Sequence, residues 1–308
     1  MVEPILDPVN RDLLKAELTN DKFLRNANNG HNKLYVITQK NAPHVMTEIG
    51  RLREWAFRAA GGGTGKAIDI DEFDTSENPY KQLIVWSDED EEIIGGYRFI
   101  DCGQVYKQQK QLHFATTELF HFSQNFIDNY IPFTIELGRS FVQPKYQPSA
   151  ENRKGLFSLD NLWDGLGALV VDNPHIKYFF GKVTMYTNYN VLARDMILKF
   201  MHTYFPDTDQ LVTPIHPVHI THNMQNFEKA ISGQDYKEGH RILNQQVRAL
   251  HENIPPLVNA YMNLSPTMKT FGTAVNPGFG DVEETGILVT IADVFESKKE
   301  RHVNTYQK

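Results

Sequence analysis

One stretch limits the fold of this chain more than any other. Thr134-Ile135-Glu136-Leu137-Gly138-Arg139-Ser140-Phe141-Val142 is apolar enough for a central β-strand, yet it carries a carboxylate and a guanidinium three residues apart. Burying either charge is costly unless it is paired, so a sheet built around this strand must supply partners for both. Side chains three apart on a regular strand face opposite ways. Both charges therefore reach one site only across a bulge, and Gly138 between them is where a bulge is expected.

The rest of the chain alternates strand and helix around that stretch. Residues 1–30 read as an N-terminal arm, with a short helix over 12–18 broken by Asn26, Asn28, Asn29 and Gly30. A β-prone run at 34–38 precedes Pro43, a residue suited to a first helical turn. The spacing of Val45, Ile49, Leu52, Ala56 and Ala59 predicts a helix over 45–60, which Gly61-Gly62-Gly63 stops. Runs at 83–86 and 93–100 flank Asp88-Glu89-Asp90-Glu91-Glu92, the pattern of a hairpin with a solvated tip. Further on, the patterns predict a helix over 159–171, a strand over 178–187 and a helix over 191–204. Residues 206–255 read as a helical insertion, 273–280 as a Gly/Pro-rich loop, and 286–294 as the last strand. The expectation is one α/β domain over 31–294, with 295–308 a charged, frayed tail.

Charge and cysteine content exclude several classes. The formal net charge is −7, and residues 69–92 alone hold ten acids against Lys81, so the remainder sums to +2. That balance speaks against a nucleic-acid-coating protein. A single cysteine, Cys102, rules out a disulfide framework or a cysteine-based metal site and points to a reducing, cytoplasmic setting. The N-terminus lacks the pattern of a signal peptide, and nothing approaches a membrane-spanning run.

Four motifs are weaker than they look. Gly61-Gly62-Gly63-Thr64-Gly65-Lys66 lacks the spacing and the following Ser or Thr of a phosphate loop, and it follows a helix instead of a strand. His216, His219 and His222 are interrupted by Pro217, which opposes one helix presenting all three to a metal. Cys102 has no histidine nearby in sequence and reads as a packing residue. Phe120, Phe122 and Phe126 are spaced as a helix face and read as core.

The charges that remain are Glu136 and Arg139, with Arg53 in the first long helix, Arg98 in the second hairpin strand, and Asp69, Asp71 and Asp74 in the loop between. An Arg–Asp–Glu network would offset the desolvation of each member. Such a site suits proton removal from an amine, because a carboxylate in a desolvated setting has a raised affinity for protons. Glu136 is the candidate base, acting directly or through a water. Arg139, Arg98 or Arg53 could bind a carboxylate in bidentate fashion, with Asp71 and Asp74 holding those arginines or meeting an ammonium. A bulge near Gly138 would free backbone N–H groups around Ser140, Phe141 and Val142 to hold an oxyanion.

Leu52-Arg53-x-x-x-Phe57, Asp69-x-Asp71-x-Phe73-Asp74, Gly95-Gly96-Tyr97-Arg98 and Glu136-Leu137-Gly138-Arg139-Ser140-Phe141-Val142-x-Pro144-x-Tyr146 occur in one order, followed by Ile254-Pro255-Pro256-Leu257-Val258-x-x-Tyr261. In this the chain resembles the GNAT-type N-acyltransferases of bacterial aminolipid synthesis, the ornithine and glycine N-acyltransferases, which are relatives of acyl-homoserine-lactone synthases. It departs from them at Phe141 and Gln143, where that group commonly carries Cys and His. The resemblance implies a GNAT-like fold, with a mixed, mostly antiparallel central sheet between helices. It also implies transfer of a fatty acyl group, often 3-hydroxylated, from an acyl-carrier-protein thioester to an amino acid's α-amine, without a metal or further cofactor. Glu136 and Arg139 are then the catalytic pair, and Arg53, Asp71, Asp74 and Arg98 bind the acceptor. The segment 144–155 cradles the donor's phosphopantetheine, with Lys145, Arg153 and Lys154 giving an acidic carrier protein a basic dock. Glycine is the first acceptor expected and ornithine the second, and the lipid product suggests contact with the inner face of a membrane. The alternatives are an acyl-homoserine-lactone-like synthase and a non-catalytic carrier-protein or lipid-binding module.

Overall fold

A computed structural model describes residues 2–147 and 154–307. The N-terminal arm contributes α1 (Arg11–Glu17) and β1 (Phe23–Asn26), and β2 (Lys33–Ile37) leads into α2 (Pro43–Ala60). Pro43 sits in the first turn of α2 and Gly61, at φ 101°, ends it. This is the asymmetry expected of proline and glycine at helix ends. The Glu17 carboxylate, from α1, accepts from the N–H groups of His44 and Val45 and so caps α2.

A short α3 (Glu72–Thr75) precedes the hairpin β3 (Lys81–Ser87) and β4 (Glu92–Asp101). Then come α4 (Cys102–Gln109), β5 (Phe120–Phe122), α5 (Gln124–Asn129), β6 (Thr134–Val142), α6 (Ser158–Asp172), β7 (Tyr178–Met185) and α7 (Val191–Tyr204). Beyond these lie β8 (Val212–Pro214), α8 (Gln225–Ile231), α9 (Tyr236–Ala249), α10 (Pro256–Met262), β9 (Lys269–Asn276), β10 (Val282–Thr290) and α11 (Glu296–His302).

Eight strands form one sheet in the order β1-β2-β3-β4-β6-β7-β10-β9, and among the described residues β6–β7 is its parallel pair. Alternation along the strands builds two cores. Leu83, Val85, Tyr97, Ile135, Leu137 and Phe179 pack on the side of α6, whose Leu162, Leu166 and Leu169 meet them. Ile84, Trp86, Ile93 and Phe141 face the other way, against Val45, Ile49, Leu52 and Ala56 of α2. The mostly antiparallel sheet between helices is the architecture expected.

Several elements differ from expectation. Phe120 and Phe122 lie on β5, paired with β8, and only Phe126 is helical. All three are core or packed on it, but across a small sheet and not along a helix face. Of the stretch 273–280, expected as a loop, 273–276 belong to β9 and 277–280 form the turn into β10, a 3-10 helix ended by left-handed Gly280. The arm's Asn26–Gly30 region turns β1 back onto β2, so the arm adds an edge strand. The C-terminal residues are not frayed. α11 docks on α6, where buried His302 meets Asp164 at 2.7 Å and a Cβ on Gly167 would stand 2.0 Å from the His302 carbonyl.

Candidate active site

The bulge in β6 exists, one residue beyond the place expected. Against β4, Gly96 pairs with Phe141 and Arg98 with Gly138, so two steps on β4 meet three on β6. Arg139 takes the left-handed conformation, φ 47°. For a residue with a side chain this costs on the order of 1 kcal/mol. The guanidinium is held on both sides: Nε donates to Asp69 at 2.8 Å, and its carbon lies 4.3 Å from the centre of the Phe279 ring. Gly138 itself is not left-handed, and a Cβ there would come within 3.3 Å of Arg98 Nε, a tight fit against a guanidinium already held by Asp71.

The parallel ladder between β6 and β7 stops at Leu137 and Gly181. Beyond it β7 continues only beside β10, and the β7-side edge of β6 from Gly138 onward carries no ladder. The two strands splay, and a cavity of about 610 Å³ occupies the gap, lined by 137–142 on one strand and by Phe179, Phe180, Gly181, Lys182 and Thr184 on the other. The cavity passes through the sheet. On the α6 side its walls are Tyr97, Leu137, Phe179, Tyr261, Ile287 and Val289. On the α2 side they include Phe57, Tyr186 and Phe279 with the polar Arg139, Lys182, Thr184 and Glu284.

The expected arginine–aspartate network is present. Arg53 donates to Asp74 at 3.0 Å and to Gln82; Arg98 Nη1 donates to both Asp71 oxygens at 2.8 and 2.7 Å. Asp71 caps α3 in a reciprocal box with Asp74. Burial pushes the Asp71 carboxyl up, but Arg98 and Arg139 outweigh it and hold it down at about 2. Asp74 and Asp71 likewise raise the Arg98 guanidinium above its ordinary range against the effect of burial. Arg53, Asp69 and Asp74 are wholly enclosed and Arg98 nearly so. Of the arginines and aspartates expected to bind substrate, Arg139 lines the cavity; Arg53, Asp71, Asp74 and Arg98 do not. Those four are engaged with one another, Asp71 and Asp74 holding Arg98 and Arg53, which is one of the two roles expected of these aspartates.

Glu136 lies on the same sheet face as Arg98, Phe180 and Lys182, as the register requires. It is 1% exposed and sits behind the cavity wall, not in it. Tyr80 donates to one oxygen at 2.8 Å and Thr116 to the other at 2.6 Å. Burial raises its affinity for a proton, and Thr116, Tyr80, Arg98 and Lys182 offset that only in part. Ser140, Phe141 and Val142 all line the cavity. Phe141 also packs into the α2 core, and buried Gln143 donates to the Ile93 carbonyl, so both departures from the family pattern are structural fillings.

Arg153 and the rest of 148–153 lie outside the described residues, as does the Lys154 side chain. Lys145 pairs with Glu92 at 2.8 Å. His222 Nδ1 donates to the Asp195 carboxylate, 2.8 Å away, anchoring the insertion to α7. Among the described residues no three metal-ligating side chains gather, and no helix is long and apolar enough to cross a membrane. Cys102 is buried, and burial pushes its thiol well up.

The sequence reading missed Lys182 and Glu284, an ion pair across β7 and β10 that lines the polar arm. The rule that found Glu136, a charge inside an apolar strand, applies equally to Lys182 in Tyr178–Met185. It also missed Tyr97 and Tyr261, whose hydroxyls are 3.5 Å apart in the otherwise apolar arm.

Comparison with known proteins identifies the family. A model of the acetyltransferase (GNAT) domain matches residues 52–153. The glycine N(alpha)-acyltransferase of Phocaeicola vulgatus is 54% identical over all of this chain and 94% of its own length. That of Bacteroides thetaiotaomicron is 55% identical over 99% of this chain and 91% of its own. A solved chain, AAC(6')-Ib in complex with ribostamycin and coenzyme A, aligns at 10% identity and a TM-score of 0.35 over 85% of this chain and 94% of that one, too distant to carry an argument.

Proposed function

This chain belongs to the family of bacterial GNAT-type N-acyltransferases, and from that premise we propose that it transfers a fatty acyl group from an acyl-carrier-protein thioester to the α-amine of glycine. The observation that carries the reading is the cavity through the β6–β7 splay, apolar on one face of the sheet and charged on the other. The acyl chain occupies the arm walled by Leu137, Phe179, Ile287 and Val289, and the amino acid enters from the α2 side. The thioester carbonyl then stands at the splay, where the open edge of β6 after Gly138 offers main-chain N–H groups to the oxyanion.

The α-amine of an amino acid is largely protonated at neutral pH and must lose a proton before it attacks. Glu136, with its raised proton affinity, takes that proton through a water, since it stands one layer behind the wall; when the tetrahedral oxyanion collapses, the C–S bond breaks and the pantetheine thiolate leaves as the thiol with the second amine proton. Glu284 does line the cavity, but Lys182 and Asn276 hold it below the usual carboxylate range against burial, which makes it a poor base. Glycine is favoured over ornithine by the relatives' names and by charge: of the two acids that line the cavity among the described residues, Glu284 is paired with Lys182 and Asp160 with Arg301. The hydroxyls of Ser140, Tyr97 and Tyr261 fit a 3-hydroxyl on the acyl chain. The product is an aminolipid precursor, released in the cytoplasm at the membrane surface.

The test gives purified protein a 3-hydroxyacyl-carrier-protein, or the same acyl group on coenzyme A, with an equimolar mixture of amino acids, and weighs the products. N-acylglycine made from the carrier-protein donor is the expected result. Preferential acylation of ornithine or lysine, or release of free fatty acid alone, contradicts the reading.

A further inference from the structure

Lys182 stands one residue past Gly181, where the ladder to β6 ends, in a strand otherwise built from Tyr, Phe, Gly, Val, Thr and Met. Its side chain is 9% exposed and that of Glu284 is 3%. Exchanging a buried ion pair for apolar residues of similar size is often neutral or stabilising, so stability alone does not account for this one. Glu284 is fully engaged: Thr184 donates to one oxygen at 3.2 Å, and Lys182 and Asn276, the latter at 2.8 Å, share the other. Lys182 is not. An ammonium has three N–H donors, and among the described residues Glu284 is the one partner Lys182 bonds. Lys182 also lines the cavity. Arg139, the other cation there, faces two acids, Asp69 at 2.8 Å and Asp71 at 3.5 Å.

We infer that Lys182 binds the carboxylate of the amino acid acceptor, and that Glu284, fixed by Asn276 and Thr184, is the positioning residue that holds the ammonium in place. This rests on the amino-acid N-acyltransferase reading. It makes the enzyme a reader of the acceptor's carboxylate: glycine is accepted, and glycinamide, the same amine with no anion, is rejected.

The experiment uses the full chain with acyl-carrier-protein donor and compares glycine with glycinamide for the unaltered protein, Lys182→Gln and Lys182→Arg. Losing a charge-assisted hydrogen bond corresponds to about 10- to 100-fold. Lys182→Gln should raise the KM for glycine by that factor, leave the donor KM within about twofold, and reduce the preference for glycine over glycinamide correspondingly; Lys182→Arg should restore part of it. Because Lys182→Gln leaves Glu284 buried without its cation, the double variant Lys182→Gln/Glu284→Gln is measured alongside, with near-ultraviolet circular dichroism to report folding. A folded variant of either kind that keeps the full preference for glycine over glycinamide overturns the assignment, as does a loss confined to the donor KM. If the unaltered protein acylates no amine, the parent reading fails; if it acylates glycine and the variants keep the preference, only the role of Lys182 fails.

Discussion

Two carboxylates on one sheet face have opposite fates. Glu136 accepts only from neutral hydroxyls and burial raises it, whereas Glu284 accepts from an ammonium and an amide and lies below its ordinary range. Environments that push paired acids apart in this way assign them different work. Glu136→Gln should therefore lower kcat by about 100-fold or more and flatten the acidic limb of the pH–rate profile, where the native rate climbs as Glu136 ionises; an unchanged limb would remove Glu136 from the mechanism. Asp71 acts on stability instead. Held at about 2 against an ordinary 3.8, it contributes on the order of 2 kcal/mol. That contribution is complete above the ordinary range and is lost as pH falls from about 3.8 toward 2. Urea unfolding of Asp71→Asn should show lower stability than the native chain at pH 6 and converge with it near pH 2. Glu136 and the arginine–aspartate network were legible in the sequence because a charge in an apolar run needs a partner. Which members touch the cavity was not legible, since that depends on how completely each arginine is already engaged.

At the scale of the element, β6 shows what local pattern can and cannot give. The need for a bulge followed from the spacing of Glu136 and Arg139, but glycine propensity pointed to Gly138, while the fold puts Arg139 in the left-handed region and holds it there with Asp69 and Phe279. Tertiary contacts outweighed the local preference. The same holds for β9, where the Gly/Pro-rich composition of 273–280 read as a loop although β10 pairs with Thr273 to Asn276. Charge likewise suggested a frayed end, but α11 is pinned to α6 by His302 and Asp164. Gly167 is the sequence trace of that docking, visible only once the two helices are seen together. Gly167→Ala, whose Cβ would stand 2.0 Å from the His302 carbonyl, should displace α11 and lower Tm by several degrees. It should leave the KM for glycine unchanged, because α11 contributes nothing to the polar arm; calorimetry and kinetics on the same preparation check both.

Over the whole molecule, the acidic tract at 69–92 explains itself in two halves. Asp69, Asp71 and Asp74 turn inward to neutralise Arg53, Arg98 and Arg139. Asp88, Glu91 and Glu92 at the hairpin tip pair with Lys33, Lys15, Arg11 and Lys145. The tract is a scaffold for the sheet and the arm, so net charge alone was a poor guide to what docks here. The fold class was readable because alternating strands and helices leave few layer arrangements; the splay was not, because it is a property of two strands ceasing to pair. The proposed reaction rests on that splay, through which donor and acceptor would meet from opposite faces of the sheet. The direct test is a crystal structure with glycine and an unreactive amide analogue of the acyl-pantetheine donor. The carbonyl is expected beside residues 138–142, the acyl chain among Tyr97, Phe179, Tyr261 and Val289, and the glycine carboxylate at Lys182. Both ligands on one face of the sheet, or an acyl chain lying outside the gap between β6 and β7, would contradict it.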